Sequence, residues 1–591
     1  AVVVLLLLFY RFLLKKAISL FQNKIWPYFI RVYERQLGYI LVGSRPIWIL
    51  AGMILLFFVT FFIAGIVKPT VLFFPNNDPN NIYVYIKMPG GTHQNVTDSI
   101  TGIAEQRVYK ALGRHNPDVE SIISNVTIGA EEQGFASTGT PFNKGKVSIN
   151  FIESKYRTTG ISTSKYMDII RKEVATIPGA VITVDKNRNG PPTGKPINIE
   201  ITSENLENLV SDAFAFRAYL DSLHIPGIEE LKTDFEMNSP EVIIQIDRDR
   251  AQRLGLSTGQ IGLEIRTALY GKEVSKLKQD EDEYPIMVRY NKITRDNINA
   301  LVNLTITYRD MNSGQLRNIP LSTVATIDYT SSYAGIKRQD QKRIITVYSN
   351  VLSGYSANNI VPVINREAKK FHFHEGTNIK LTGEQENQAE TAFFLMKAMV
   401  IALGAIFFIL ITQFGSVTKA LIILSEVIFS IIGVLIGVML FHMSLVILMT
   451  GLGIVALGGI VVRNGILIVE FIDVKKKDGV PTRRAIIEGG KTRITPVILT
   501  AAATMLGLVP LAVGMNINFM TLFSEFNPHI YFGGDNVMFW GPLAWSIIFG
   551  LSFATFLTLM FVPALYELDY TIHLKLARRK NLKQIKKMNR D

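Results

Sequence analysis

An arginine sits inside one of the long apolar runs of this chain, Gly458-Gly459-Ile460-Val461-Val462-Arg463-Asn464-Gly465-Ile466-Leu467-Ile468-Val469-Glu470-Phe471. A charge at the depth of a bilayer core costs about 2.5 to 3.5 kcal/mol on insertion scales, so it is kept for a partner, a cavity or an ion path. A guanidinium stays protonated in essentially any protein setting, whereas a buried lysine can lose its proton. Arg463 can therefore be a fixed counter-charge that changes partners, or the cationic half of a buried pair that only sets helix packing. Glu426, in Ser425-Glu426-Val427, is a second charge within an apolar run. It serves either structural pairing and snorkelling or proton handling.

These residues need a membrane around them. Segments of about 20 apolar residues cross a bilayer core of about 30 Å, and complete ones fall near 47–67, 393–412, 419–441, 445–473, 494–515 and 541–566. Residues 1–14 open inside a further apolar run with no initiator Met, basic head or cleavage site, so the chain reads as part of a longer one that starts within a span. At 591 residues, 48% of them hydrophobic, it is too long for one domain and too apolar in patches for a soluble protein. The absence of cysteine excludes a disulfide framework and a thiolate metal site.

The net charge of +13 is distributed by position. Lys15, Lys16, Lys24, Arg31, Arg35 and Arg45 precede the first full span, and Lys475 to Lys477, Arg483, Arg484 and Lys491 join the fourth and fifth. Eight further Lys or Arg lie between Lys575 and Arg590. Placing all three clusters inside puts residues 68–392 and the 516–540 loop outside. The basic balance follows from topology and calls for no nucleic acid.

Residues 15–41 alternate basic with aromatic or aliphatic positions, which predicts a helix along the inner membrane surface. The plainer alternative is a water-exposed linker helix. In the outer region strand, helix and strand recur four times, in the pattern of split βαβ (ferredoxin-like) layers. The units are 82–128, 146–184, 197–235 and 343–381, with an insertion at about 240–335 large enough for its own subdomain.

This arrangement resembles the C-terminal half of a resistance-nodulation-division transporter of the hydrophobe and amphiphile efflux type. The matching pieces are Met88-Pro89-Gly90-Gly91-Thr92, Gly190-Pro191-Pro192-Thr193-Gly194-Lys195-Pro196, the run from Ile246 to Leu256, Arg463-Asn464 with Ile468-Val469-Glu470-Phe471, and the run from Arg493 to Thr500. The resemblance implies a membrane α-helical bundle that is half of a twelve-span fold, carrying periplasmic α+β porter subdomains and a docking subdomain. Residues 1–14 would end the sixth span, 15–41 form the surface helix, and 47–67 the seventh span. Porter subdomains would occupy 78–195 and 196–240 with 336–388, and docking 241–335. The remaining five spans fall within 393–566, followed by a basic cytoplasmic tail at 567–591.

By the same resemblance the proton relay joins two carboxylates of the absent fourth span to a basic residue on the tenth and polar groups on the eleventh. Arg463 takes the basic position, where the common drug pumps have lysine. Protonating the carboxylates would release Arg463 to reorient and tilt the helices, with Asn464 and Thr500 relaying hydrogen bonds. Arg493 lies seven residues before Thr500, about two turns and roughly 10 Å along the same face. The stretch Gly129 to Gly145 resembles the switch loop, with Phe135 and Phe142 able to touch an amphiphile. The aromatic cluster is thinner than in the drug pumps, with Ile149 where they place phenylalanine, and both rings can equally be loop anchors.

Other signals are weak. Residues 139–146 miss the phosphate-loop spacing and its Ser or Thr, so no nucleotide or other cofactor is expected and the energy source is an ion gradient. His372 and His374 lack companions for a metal site. Glycines at 433, 437, 451, 453, 458 and 459 suit close helix packing. The expected partners are the missing N-terminal half, two further copies in a trimer, a periplasmic adaptor, an outer-membrane channel and lipid. The alternative is a non-transporting scaffold that keeps the fold. The loop 516–540, longer and more aromatic than the family pattern, is either a membrane-surface anchor or a partner contact.

Overall fold

The computed structural model describes residues 15–588 except 76–77, 133–141, 154–155, 188–193, 238, 296, 298–299, 301, 310–313, 334 and 353. The expected truncated span at 1–14, Phe135 and most of the switch loop lie outside the described residues.

The chain enters through helix α1 (Trp26–Ile40), preceded by a helical and a π-helical turn from Lys15 to Ile25. Its inward stripe carries Tyr33 and Leu37, both buried, while Tyr28 and Phe29 stay exposed. The Tyr33 hydroxyl donates to the Leu559 carbonyl at 2.9 Å, and Trp26 Nε1 donates to Thr495 Oγ1 at 3.1 Å. This helix is docked onto the ends of two spans and is no free linker. The first span, α2 (Arg45–Val67), starts on Pro46 and is apolar around its whole circumference, as a lipid-facing helix must be.

Next comes a four-stranded antiparallel sheet built from β1 (Asn81–Lys87), α3 (Gln94–Leu112), β2 (Val119–Val126), β3 (Lys144–Phe151), α4 (Thr163–Val174) and β4 (Val181–Lys186). Its strand order is β2-β3-β1-β4. Alternation with period two sends Ile82, Val84, Val147 and Ile149 to one face, where they meet Ala104 and Val108 of α3 and Ile170 of α4 in a common core. Gly91 explains its own motif. Its φ is +80°, and a Cβ there would lie 2.6 Å from Pro240 Cγ, so only glycine lets the strand end pass beneath the second unit.

The second unit comprises β5 (Ile197–Ser203), α5 (Leu206–Ser222), β6 (Lys232–Thr233), β7 (Lys337–Gln339), β8 (Lys342–Ser349), α6 (Ala357–Ala368) and β9 (Asn378–Leu381). The strands order as β7-β8-β5-β9, with β6 also paired to β8. Ile199, Ile201 and Val347 pack on Phe216 of α5 and Ile364 of α6. The interposed residues have a separate core around Leu256, Ile261 and Leu321. From it extends a two-stranded hairpin, Lys272–Gln279 with Asp282–Val288, in which every residue is exposed.

The remaining spans are α7 (Glu384–Phe414), α8 (Val417–Leu440), α9 (Ile447–Lys477), α10 (Thr482–Val513) and, after a short helix α11 (Phe519–Ser524), the composite of α12 (Asp535–Phe556), a π-helical stretch Leu557–Phe561 and α13 (Val562–Met588). Together with α2, six helices among the described residues are long and apolar enough to cross a membrane. Close packing at the bundle centre comes from glycine. Cβ atoms at Gly433 and Gly437 would run into Phe553 and Phe549. Residues Val71–Leu72, just after α2, form a parallel bridge with Leu445–Val446, the two residues that lead into α9.

Candidate functional site

Arg463 lies on the face of α9 that this chain leaves uncovered. Leu452, Ala456, Gly459, Arg463 and Glu470 are all exposed at helical spacing. Arg463 makes no hydrogen bond or ion pair with a described residue. The small side chains one and two turns above it leave room for another helix to approach.

Asn464 turns the other way and is buried. Its Oδ1 accepts from Thr500 Oγ1 of α10 at 3.5 Å, a hydroxyl that also reaches the Val497 carbonyl at 3.0 Å. Two turns along both helices, the Arg493 guanidinium stacks 4.8 Å above the Phe471 ring, and its Nε is buried without a hydrogen-bond partner. The structure thus brings Asn464 and Thr500 together and holds Arg493 apart from them on an aromatic face.

Glu426 of α8 is fully buried, and neither carboxylate oxygen has a hydrogen-bond partner. It presses on Gly465, where a Cβ would collide with its carboxyl group. Thr558 of the π-helical stretch stands beside it, but that hydroxyl donates to the Ala554 carbonyl at 2.9 Å. Neither pairing nor snorkelling, the structural roles expected for Glu426, is seen among the described residues. Positions 463 and 465 are about 200° apart around a helix, so Glu426 sits behind the helix that presents Arg463.

A second constellation joins the two outer units. Glu132, at the root of the loop after β2, accepts from Lys232 Nζ of β6 at 2.9 Å and lies 3.2 Å from Lys195 Nζ. Lys195 also reaches Asp185 of β4 at 2.6 Å, and Lys232 donates to Thr183 Oγ1 at 2.8 Å. The lysine side chains are 6% and 5% exposed. Nearby, Arg171 of α4 binds Glu229 at 2.7 Å, and Lys87 of β1 pairs with Glu236 at 3.2 Å. Burial pushes the Glu132 carboxyl up, but Lys232 and then Lys195 outweigh it and hold it below its ordinary range.

Below this joint, where the outer units meet the span ends, is a cavity of about 320 Å³ with Phe73, Phe74 and Phe539 on one side and Arg171, Asn187 and Glu384 among its polar walls. Phe142 is exposed in the turn that leads into β3. Ile149 is corrected from pocket to core. It is fully buried between Ile82 and Ile122, facing α3 and α4 rather than the cleft. His374 Nδ1 stands 2.6 Å from Asp212, and no group of three His, Cys, Asp or Glu able to hold a metal occurs among the described residues.

Sequence reasoning passed over the ionic joint. Lys195 was visible only as part of a motif and Glu132 only as part of the stretch resembling the switch loop, while Lys232 had no signal, because its partners Glu132 and Thr183 lie 100 and 49 residues away in the other unit.

Comparison with known proteins places this geometry. The sequence model of the AcrB/AcrD/AcrF family matches residues 13–569. Protein HelA of Legionella pneumophila is 26% identical over 513 residues, covering 85% of this chain and 45% of that protein. The cobalt-zinc-cadmium resistance protein CzcA of Cupriavidus metallidurans is 26% identical over 347 residues, 58% of this chain and 31% of its own. The multidrug resistance protein MdtC of Cronobacter sakazakii is 23% identical over 555 residues, 93% and 49%. The crystal structure of a heavy metal efflux pump superposes with a TM-score of 0.69 at 22% identity, covering 92% of this chain and 52% of the pump. The chain spans about half the length of that pump and less than half of each relative named.

Proposed function

This chain belongs to the AcrB/AcrD/AcrF family, and from that premise we propose that it is the C-terminal half of an ion-driven efflux transporter, multi-pass in the bacterial inner membrane with its two outer units in the periplasm. One observation carries the reading: a permanent cation, Arg463, stands on an uncovered helix face one residue from the buried Asn464–Thr500 contact. A charge so placed in lipid needs acidic partners, and these come from the half that completes the bundle. Protons bound by those acids release Arg463, and the reorientation of α9 moves the outer units.

For the cargo, the cavity of mixed aromatic and polar walls at the membrane surface supports an amphiphilic compound entering between the outer units. A metal cation is the second reading, favoured by the relatives named for cobalt, zinc, cadmium and nickel resistance. A two-stranded hairpin is marginal in isolation, so the fully exposed one at 272–288 supports assembly with further copies, and with an adaptor and outer-membrane channel beyond them.

The test is growth of cells carrying the intact gene on graded amphiphiles and metal salts, comparing wild type with Arg463→Ala. Loss of resistance to one class names the cargo. Wild-type resistance in the variant, against a deletion strain that is sensitive, rejects the relay and leaves the non-transporting scaffold.

A further inference from the structure

The link between the last two spans is not a simple turn. α10 ends at Val513 with Gly514 in a left-handed conformation, and a Cβ at Gly514 would lie 2.6 Å from the Val537 Cβ. Met515–Asn516 then pairs with Tyr531–Phe532, and Asn516 Nδ2 donates to the carbonyls of Gly514 and Gly533 at 2.8 and 2.9 Å. Both ends of the link are thereby pinned at the outer mouth of α10 and α12. The intervening residues also have a defined shape. Asn518 caps α11 by accepting from the backbone N–H groups of Met520 and Thr521, and its own N–H donates to the Pro528 carbonyl at 2.9 Å.

This closed loop turns its apolar side chains outward. Phe519, Met520, Phe523, Phe526 and Phe532 are 63%, 82%, 79%, 90% and 67% exposed. Fully burying one such side chain is worth about 1.5 to 3 kcal/mol, so five left in water would be a large and unnecessary loss. No lysine or arginine occurs between Arg493 and Lys575, and within the loop itself the charged partners are only Glu525 and His529, 3.5 Å apart. The loop links the ends of two candidate spans, α10 and α12, and aromatic side chains concentrate at such membrane–water interfaces.

We propose that residues 517–532 form an interfacial foot, with Phe519, Phe523 and Phe526 seated in the outer leaflet of the same membrane that α10 and α12 cross. The partner is the lipid surface, bound through its acyl and glycerol region without a call for anionic headgroups, because the loop offers no cation. The foot fixes the outer end of α10, the helix that carries Thr500, while its inner end is held by α1 through Thr495.

The test uses the intact transporter in liposomes of zwitterionic lipid. A nitroxide attached at Phe523→Cys, in a background freed of other cysteines, is compared with one at Leu277→Cys on the exposed hairpin. Collision with oxygen should exceed collision with a water-soluble nickel chelate several-fold at 523, with the order reversed at 277. A chelate collision rate at 523 equal to that at 277 overturns the proposal. So does a label at 523 that is shielded from both reagents in detergent, which would mean that a neighbouring protein covers the loop. Unchanged thermal unfolding of the labelled protein guards against a folding defect, and Phe526→Cys repeats the measurement should position 523 not tolerate the label.

Discussion

Lys232 Nζ and the Glu132 carboxylate stand 2.9 Å apart although they belong to different outer units, and Lys232 is nearly without solvent contact. Two charges removed from water are stabilising only when mutual attraction and further hydrogen bonds offset the desolvation. Here Lys195, Asp185 and Thr183 supply them. The joint is therefore firm while complete and unfavourable when any member is missing.

Lys232→Ala leaves Glu132 with one cation and opens a void at the joint. Breaking a buried pair costs about 3 to 5 kcal/mol, and thermal unfolding of the outer region should register it as a clear downward shift in Tm. Lys232→Ala combined with Glu132→Gln should cost less than the sum of the two single changes.

The pH response of the joint follows from the sign of the Glu132 shift. Lowered by its lysines below the ordinary glutamate value of 4.5, Glu132 binds fewer protons in the closed joint than in an open one. Its contribution is complete above that value and is lost as pH falls through the lower, folded-state value. Unfolding or cross-unit mobility measured from pH 8 down to 5 should be flat in this respect, with weakening confined to more acid solution. Protons at ordinary pH therefore do not unlock the joint through Glu132.

Gly465→Ala puts a methyl group against the Glu426 carboxyl inside the bundle. Overpacking of a tight core costs about 1 to 3 kcal/mol. The purified protein should melt at lower temperature, whereas Gly459→Ala, on the uncovered face with open space around it, should not change the packing within this half.

Gly91→Ala combines a left-handed backbone with a clash at Pro240. The conformation alone costs about 1 to 2 kcal/mol for an L-residue. Limited proteolysis between the outer units should be faster in this variant, and Gly113→Ala, which also has a positive φ but nothing within 4 Å of its Cβ, serves as the control.

Local pattern carried the reading of the spans and of the alternating strands, because period and length are written into consecutive residues. The helix ends were less legible. α10 begins at Thr482, twelve residues before its apolar run, since it continues past the lipid to meet α1 through Gly490, which packs against Tyr33 and Leu37, and Lys491, 2.9 Å from Glu34. Ile149 was misjudged for a simpler reason, that alternation gives two faces without saying which faces the helices. The Asn464–Thr500 contact could be anticipated only through resemblance, and the Glu132 joint not at all. Ion pairs between distant segments leave no period in the sequence.

The short parallel bridge between Val71–Leu72 and Leu445–Val446 gives α9 a second route to the outside. Its backbone hydrogen bonds, with Leu445 N–H on the Thr70 carbonyl at 2.8 Å, fasten the top of the arginine-bearing helix to the strap that leads into the first outer sheet. The bridge works as a tie rod. A rise or dip of that helix pulls the strap directly, without waiting for the rest of the bundle to follow.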